Sequence, residues 1–274
     1  MTFYNVGLLS NTLTARIPHP QSGANLKSIE PFKSFGTFKM TSPKFYVVAR
    51  VVSRPGAMKF WRERLVHLCG ISATERYGDS YYWGQDLDGE PDNLWGLEGY
   101  THPVGFFLDH VSSDIFKREM ALVDKDELLK TQQGIGSPDY DLHHYDEESG
   151  WLKRNDDPDK DSKNSHVAIY YFYVADESKR PELLAQLSKF AENVRKSQGR
   201  TGSIQSCLVL KELRDSKMAT LWLRINNEEN FRSLQTSGPL ASLLASLKPI
   251  VSNSEVHQSR SFIGHLGTSA TEKR

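Results

Sequence analysis

Hydrophobic and polar positions along the chain change period several times, and those changes mark out its elements. The run KFYVVARVV, Lys44 to Val52, is β-branched and aromatic, which predicts a buried strand, and the SRPG after it predicts a turn. Trp61, Leu65, Leu68 and Cys69 then fall at i, i+4, i+7 and i+8. That spacing is the single apolar stripe of a helix, with Gly70 as its expected stop. SYYWGQ (80–85) and NLWGLEGYT (93–101) flank the polar segment DLDGEPD and read as a β-hairpin. Residues 102–130, with Phe106, Phe107, His110, Ile115, Phe116, Met120 and Leu122, read as helix again.

A second pass begins at His166. HVAIYYFYVAD is strand-like, and Ser178 to Ser197 is the clearest helix, with Leu183, Leu184, Leu187, Phe190, Ala191 and Val194 on one face and Gly199 as its stop. SIQSCLVLKEL and KMATLWLRI read as strands, NEENFRSLQ and PLASLLASLK as helices, and EVHQSRSFIG as a closing strand. The order is β-α-β-β-α-β, twice. Val47 and Ile169 lie 122 positions apart, and Phe107 and Phe231 lie 124 apart, so the copies keep nearly constant register. Two split β-α-β units, each with helices on one face of an antiparallel sheet, leave two bare faces to cover. Packing those faces together predicts an α+β fold, an intramolecular α+β barrel built sheet to sheet.

The expected organisation is a flexible leader (1–43), a first repeat (44–130), an acidic linker (131–165), a second repeat (166–265) and a disordered tail (266–274). The linker carries nine acidic and four basic residues between Pro138 and Ser165. Residues 141–154 are the candidate for the fourth strand that the first copy otherwise lacks.

Length and charge narrow the function classes. With 274 residues the chain is long enough for two domains of about 100 to 150 residues, each able to bury a core without staples. Thirty-four Lys and Arg balance 34 Asp and Glu, so no net field draws the molecule to nucleic acid or anionic lipid. The apolar run IYYFYVA at 169–175, even with Val167 and Ala168 before it, falls far short of the ~20 residues of a membrane span. Two cysteines, Cys69 and Cys207, form no Cys-x-x-Cys pair, and the first forty residues hold no apolar block long enough for a signal peptide. A cytoplasmic protein is expected.

Arg50, Glu98 and His110 are polar residues on otherwise apolar elements of the first copy. The offsets above match them to Phe172, about Leu223 and Leu234, so one copy alone keeps the polar set. First and third strands are neighbours in a split β-α-β sheet, which places Arg50 and Glu98 to pair across it, as a structural ion pair or a functional one. His110 titrates near neutrality and is the best general-base candidate, with a satisfied core histidine as the bland reading. Tyr81, Tyr82, Trp83, Trp95 and Tyr100 crowd one hairpin, as core or as walls that sandwich a planar ligand. Tyr81 and Trp83 share one face, and Tyr100 shares a face with Glu98. His102 suits a helix start. Adjacent His143 and His144 point to opposite sides of a strand, so no metal site is expected there. GIGSPD at 134–139 lacks the third glycine of a dinucleotide fingerprint.

The sequence VVARVVSRPGAMKFW followed by Glu75, Gly78, Glu98 and His110 resembles the antibiotic biosynthesis monooxygenase (ABM) domain. The first copy matches that pattern over about residues 45–122; the second, over about 167–263, matches mainly in element order. The resemblance is to a tandem, fungal-type member. It implies a ferredoxin-like fold for each repeat, paired within one chain as a dimeric α+β barrel, and it admits a homodimer of the whole. It also implies an oxygenase of secondary metabolism that uses no flavin, haem or metal, with molecular oxygen as co-substrate and a phenolic or polyketide-type small molecule as substrate. In haem-degrading relatives the helical histidine ligand would fall at Met120, a departure that argues against haem. The expectation is a barrel-interior pocket in which His110, Arg50 and Glu98 carry catalysis while Tyr81, Trp83, Trp95 and Tyr100 hold the aromatic substrate. The alternatives are a non-catalytic small-molecule or lipid-like ligand binder, a stress-associated protein of the same fold, or a non-redox isomerase or cyclase.

Overall fold

A computed structural model describes residues 43–153, 163–197 and 202–268. The expected leader, the stop at Gly199, the middle of the linker and most of the tail lie outside these residues. Eight strands and five α-helices follow in the order β1 (Phe45–Val51), α1 (Met58–Ser72), β2 (Gly78–Asp86), β3 (Leu94–Tyr100), α2 (Asp114–Lys125), β4 (Tyr140–Trp151), β5 (His166–Val174), α3 (Arg180–Ser197), β6 (Ile204–Glu212), β7 (Met218–Ile225), α4 (Glu228–Thr236), α5 (Pro239–Leu247) and β8 (Val251–His265). The strands close into one antiparallel barrel with the order β1-β3-β2-β8-β5-β7-β6-β4. β4 occupies the stretch singled out for a fourth strand. It pairs with β1 of its own half and with β6 of the other, and β8 bridges β5 and β2 in the same way. These two junctions join the halves by backbone hydrogen bonds, so among the described strands no edge is left open.

Strand alternation sorts the side chains. Phe45, Val47, Ala49 and Val51 point outward and pack under α1 and α2 with Trp61, Leu65, Leu68 and Val123. Tyr46 and Val48 point into the barrel and meet Ile169, Tyr171 and Trp222 from the opposite half. On the far side, Ala168, Tyr170 and Phe172 point outward under α3 and α5, against Leu183, Leu187, Phe190 and Leu240.

Three sequence expectations change here. Helix α1 runs through Gly70 to Ser72, because glycine ends a helix by turning left-handed and Gly70 is not among the residues with positive φ. The expected helix at 102–130 divides into a π-helical turn, Gly105–His110, and α2. The break comes at Ser113, which is extended and whose hydroxyl accepts from the Phe116 N–H as an N-cap. The 122-residue offset is also out of register. Val47 faces the helices whereas Ile169 faces the interior, so the offset that superposes β1 on β5 with faces matched is odd. Pairing resolves the alignment: Phe45 lies opposite Tyr100, and His166 opposite Ile225. Matching irregularities occur in β2 between Gly78 and Ser80 and in β6 between Ile204 and Ser206. In this register Arg50 matches Tyr171 rather than Phe172, and Glu98 matches Leu223.

Candidate functional site

Strand parity separates the six candidate residues that lie on strands into two groups. Glu98 lies opposite Val47 on one side and Tyr81 on the other, so it points outward beneath the helices with Tyr81, Trp83 and Tyr100. Arg50 lies opposite Trp95, and both belong to the inward set. The expected cross-sheet pair of Arg50 with Glu98 therefore does not form. Arg50 instead stands over the Trp95 ring, its Cζ 5.7 Å from the centroid, while His257 stacks on that ring at 4.5 Å. The Trp95 indole N–H donates to Asp86 Oδ1 at 2.7 Å. Arg50 and Trp95 belong to the packing of the barrel interior and are removed from the other candidates.

That interior is filled. Tyr46, Val48, Tyr82, Trp95, Leu97, Tyr145, Ile169 and Trp222 interlock there, and the gap between Tyr82, Trp95 and Trp222 has a cavity volume of 0 Å³. Large aromatic residues from both halves meet in that interior, where a pocket was expected. A cavity of about 90 Å³ lies instead between the outer face of β1–β3 and helices α1 and α2. Val47, Ala49, Trp61, Leu65, Trp83, Phe106, Phe116 and Met120 make its walls apolar, and Ile135 and Leu142, both exposed, stand at its rim. Glu98 is the one carboxylate among the described residues that line it.

Several local features build this site. Trp83 can lie on the sheet only because its neighbour in β3 is Gly96: a Cβ there would stand 2.6 Å from the indole. The last turn of α1 carries the chain to Glu75, whose N–H donates to the Ile71 carbonyl at 3.0 Å. The π-helical turn, a form that recurs at functional sites, ends at His110. Between α1 and α2 the buried Glu119 carboxylate takes His67 at 2.9 Å and Arg118 at 2.7 Å, with Arg64 at 3.7 Å, which clasps the two helices over the cavity.

His110 is 1 % exposed and its Nδ1 lies 2.9 Å from Glu75 Oε1. Nε2 is buried and has no hydrogen-bond partner among the described residues. The ring contacts Tyr81, Tyr100 and Phe116, with centroids 5.7, 6.2 and 5.3 Å away. Burial pulls its basicity down, but the hydrogen bond to Glu75 and the field of Glu98 outweigh this and hold the imidazole above its ordinary range. His110 is thus the donor toward Glu75. Tyr100 donates to Glu98 Oε2 at 2.8 Å. Burial pushes the Glu98 carboxyl up, only partly offset by His110 and Tyr100. The Tyr81 and Tyr100 phenols are pushed far up by burial and by nearby carboxylates, so both remain protonated donors.

The structure adds Glu75, which entered the sequence pattern but not the candidate site. It also adds the lining residues Trp61, Phe106, Phe116 and Met120. Spacing alone gives no sign that Glu75 and His110, 35 positions apart, would meet. His102 takes the expected local role, its Nδ1 accepting from the Val104 N–H at 3.1 Å. His143 and His144 point to opposite faces of β4, opposite Val48 and Val47 respectively.

No protein-family model matches this sequence, and no curated protein matches it. Solved structures do match in shape. A presumed monooxygenase from Fusobacterium nucleatum superposes with a TM-score of 0.63 at 8 % identity, covering 83 % of this chain and 96 % of that one. A second presumed monooxygenase, from Lactobacillus acidophilus, gives 0.61 at 10 % identity over 82 % and 97 %. An anthrone oxidase-like protein gives 0.55 at 10 % identity over 85 % and 95 %. The chain shares their fold. All three are covered almost end to end, so the likeness extends over most of this chain. Fold likeness at this identity leaves the chemistry to the site itself. Among the described residues, no helix is long and apolar enough to cross a membrane.

Proposed function

We propose that this chain is a monooxygenase that needs no cofactor and acts on an aromatic, phenolic or polyketide-type small molecule of secondary metabolism. The reaction would take place in the cavity beneath α1 and α2. The observation that carries this reading is the buried Glu98 carboxyl, which accepts from Tyr100 and lines an otherwise apolar cavity, with the buried Glu75–His110 pair behind that wall. The fold shared with monooxygenase-named structures supports it. A phenol or carbon acid gives a proton to this set, and the resulting electron-rich anion reduces oxygen. A carbon–oxygen bond forms, the O–O bond of the hydroperoxide breaks, one oxygen stays as a carbonyl and the other leaves as water. For a methylene this is CH2 + O2 → C=O + H2O, with all four electrons drawn from the substrate. The apolar walls keep water from quenching the anion, while Tyr81 and Trp83 orient the ring.

In the same proposal the two halves are ferredoxin-like repeats of the tandem fungal ABM type. The first spans 44–130 with the strand from the 131–165 segment, and the second, 166–265, serves as a structural half-barrel. A cytoplasmic location and a further homodimer are compatible with it.

The test is aerobic turnover of phenolic and anthrone-type substrates by metal-stripped, flavin-free protein. Oxygen uptake with one labelled oxygen atom entering the product is expected; no uptake with any substrate that binds would sink the reading. A proton-transfer isomerase is the second reading, favoured because the acid–base set needs no oxygen to move a proton. Product formed under anaerobic conditions would select it.

A further inference from the structure

The cavity constrains its own ligand more tightly than the class of reaction does. At about 90 Å³ it is well below the roughly 300–1,000 Å³ of pockets that enclose drug-sized ligands. It is nearer the roughly 150 Å³ apolar cavity that holds a benzene. Trp61, Trp83, Phe116 and Met120 line it, and among the described residues Glu98 is its one carboxylate. No Lys, Arg or His is among the described residues that line it. An anionic ligand would bring a second negative charge beside Glu98 in a site with no cation to receive it, and a buried unpaired charge is costly. A neutral ring without a hydroxyl would leave the Glu98 carboxylate unanswered from the cavity side. A neutral ring with a hydroxyl donor satisfies the charge, and a single ring reaching in past the exposed rim at Ile135 and Leu142 comes nearest the size. His110 stands behind this wall, in ring contact with Tyr81 and Phe116, and its Nδ1 is held by Glu75.

Resting on the cavity site proposed above, we infer that its ligand is a neutral single-ring phenol whose hydroxyl donates to Glu98, and that Glu98 rather than His110 receives the proton. In that step the phenol O–H bond breaks, the carboxylate gains an O–H bond, and its electron pair stays on the ring system as phenolate. Burial, which pushes the Glu98 carboxyl up, brings its proton affinity toward that of a phenol.

The experiment uses the full chain and four probes: phenol, anisole, benzoate and anthrone. Binding is read from the fluorescence of Trp61 and Trp83 and by calorimetry, independently of turnover. Phenol is expected to bind saturably, and anisole, benzoate and anthrone each at least about tenfold more weakly, the loss of one charge-assisted hydrogen bond or more. Glu98→Gln is expected to weaken phenol by about tenfold while leaving the smaller affinity for anisole unchanged. Anisole or benzoate binding as tightly as phenol, anthrone binding more tightly, or Glu98→Gln leaving the preference for phenol over anisole intact would each overturn the inference. The wild-type comparisons hold even if the variant fails to fold. Phenol that binds through Glu98 without oxygen uptake would keep this ligand assignment and remove the monooxygenase reading. Oxygen uptake with anthrone alone would do the reverse.

Discussion

The outer faces of the two half-barrels occupy matching positions and carry opposite chemistry. Under α1 and α2 the first half presents Tyr81, Trp83, Glu98 and Tyr100. In the aligned register the second half has Cys207, Val209, Leu223 and Ile225, all fully buried among Leu183, Leu187, Phe190 and Phe231. Both faces satisfy the same requirement, that a sheet be covered by helices. One does so with a filled apolar core, the other with a cavity and a hydrogen-bonded polar wall. The same arrangement of strands and helices thus packs solid in one half and leaves a void beside a carboxylate in the other. The cavity half holds contacts that lower its own stability, since the Glu98 carboxyl is buried against its preference for charge.

The comparison can be broken most directly by exchanging roles. Glu98→Gln is expected to lower turnover by about 10²–10⁴-fold, the usual contribution of a positioned acid or base, while Leu223→Ala at the matching site leaves turnover within about twofold. Equal rates in Glu98→Gln and wild type, measured by oxygen consumption, would erase the functional asymmetry. Next come the cores. Leu187→Ala, in the filled half, should cost about 3–5 kcal/mol in denaturant unfolding, whereas Leu65→Ala, beside an existing void, should cost about 2–3 kcal/mol. A reversed order would mean that the first-half cavity collapses in solution.

Adding a methyl-sized group tests the same contrast with opposite signs. Ala49→Val, at the cavity wall, should gain up to about 1 kcal/mol and weaken ligand binding. Ala219→Val, in the packed outer face of β7, should lose about 1–3 kcal/mol by overpacking and leave binding alone. Thermal midpoints and probe affinity together decide this pair.

The smallest effect is the pH dependence. The native value of His110 is raised above its ordinary 6.5, so its stabilising contribution is full below that value and disappears as pH rises through the native one. The Glu98 carboxyl is likewise raised, and its favourable protonated form is lost in the same direction as pH climbs out of the ordinary carboxylate range. The stability advantage of wild type over His110→Gln should therefore shrink with rising pH, as read from unfolding midpoints between acid and mildly alkaline buffers. A widening advantage would place the imidazole in its neutral form throughout.

Much of the element order was legible because period-2 and period-3.6 patterns follow from local geometry. The strands around Val47, Trp83 and Leu97, the helix of Leu183 to Val194 and the pairing of Tyr81 with Trp83 on one face were all present in the spacing. The division of residues 102–130 was not, because Ser113 ends one helical turn and caps the next with a single side chain in an otherwise helical pattern. Nor was the offset between halves. A shift of 122 aligned apolar with apolar, yet in strands whose two faces are both buried, as in β1 and β5, composition does not reveal which face is which.

The sequence by itself determined the two β-α-β-β-α-β passes, the balance of charge and the concentration of polar and aromatic residues in the first pass, because each is a property of neighbouring residues or of simple counting. Only the tertiary structure decided that Arg50 and Trp95 fill the barrel, that Glu75 reaches His110, and that the cavity lies under the helices rather than inside the strands. Those outcomes depend on barrel closure through β2–β8 and β4–β6. Closure fixes which face of each strand turns inward, and thereby which buried carboxylate meets a void and which arginine meets a ring.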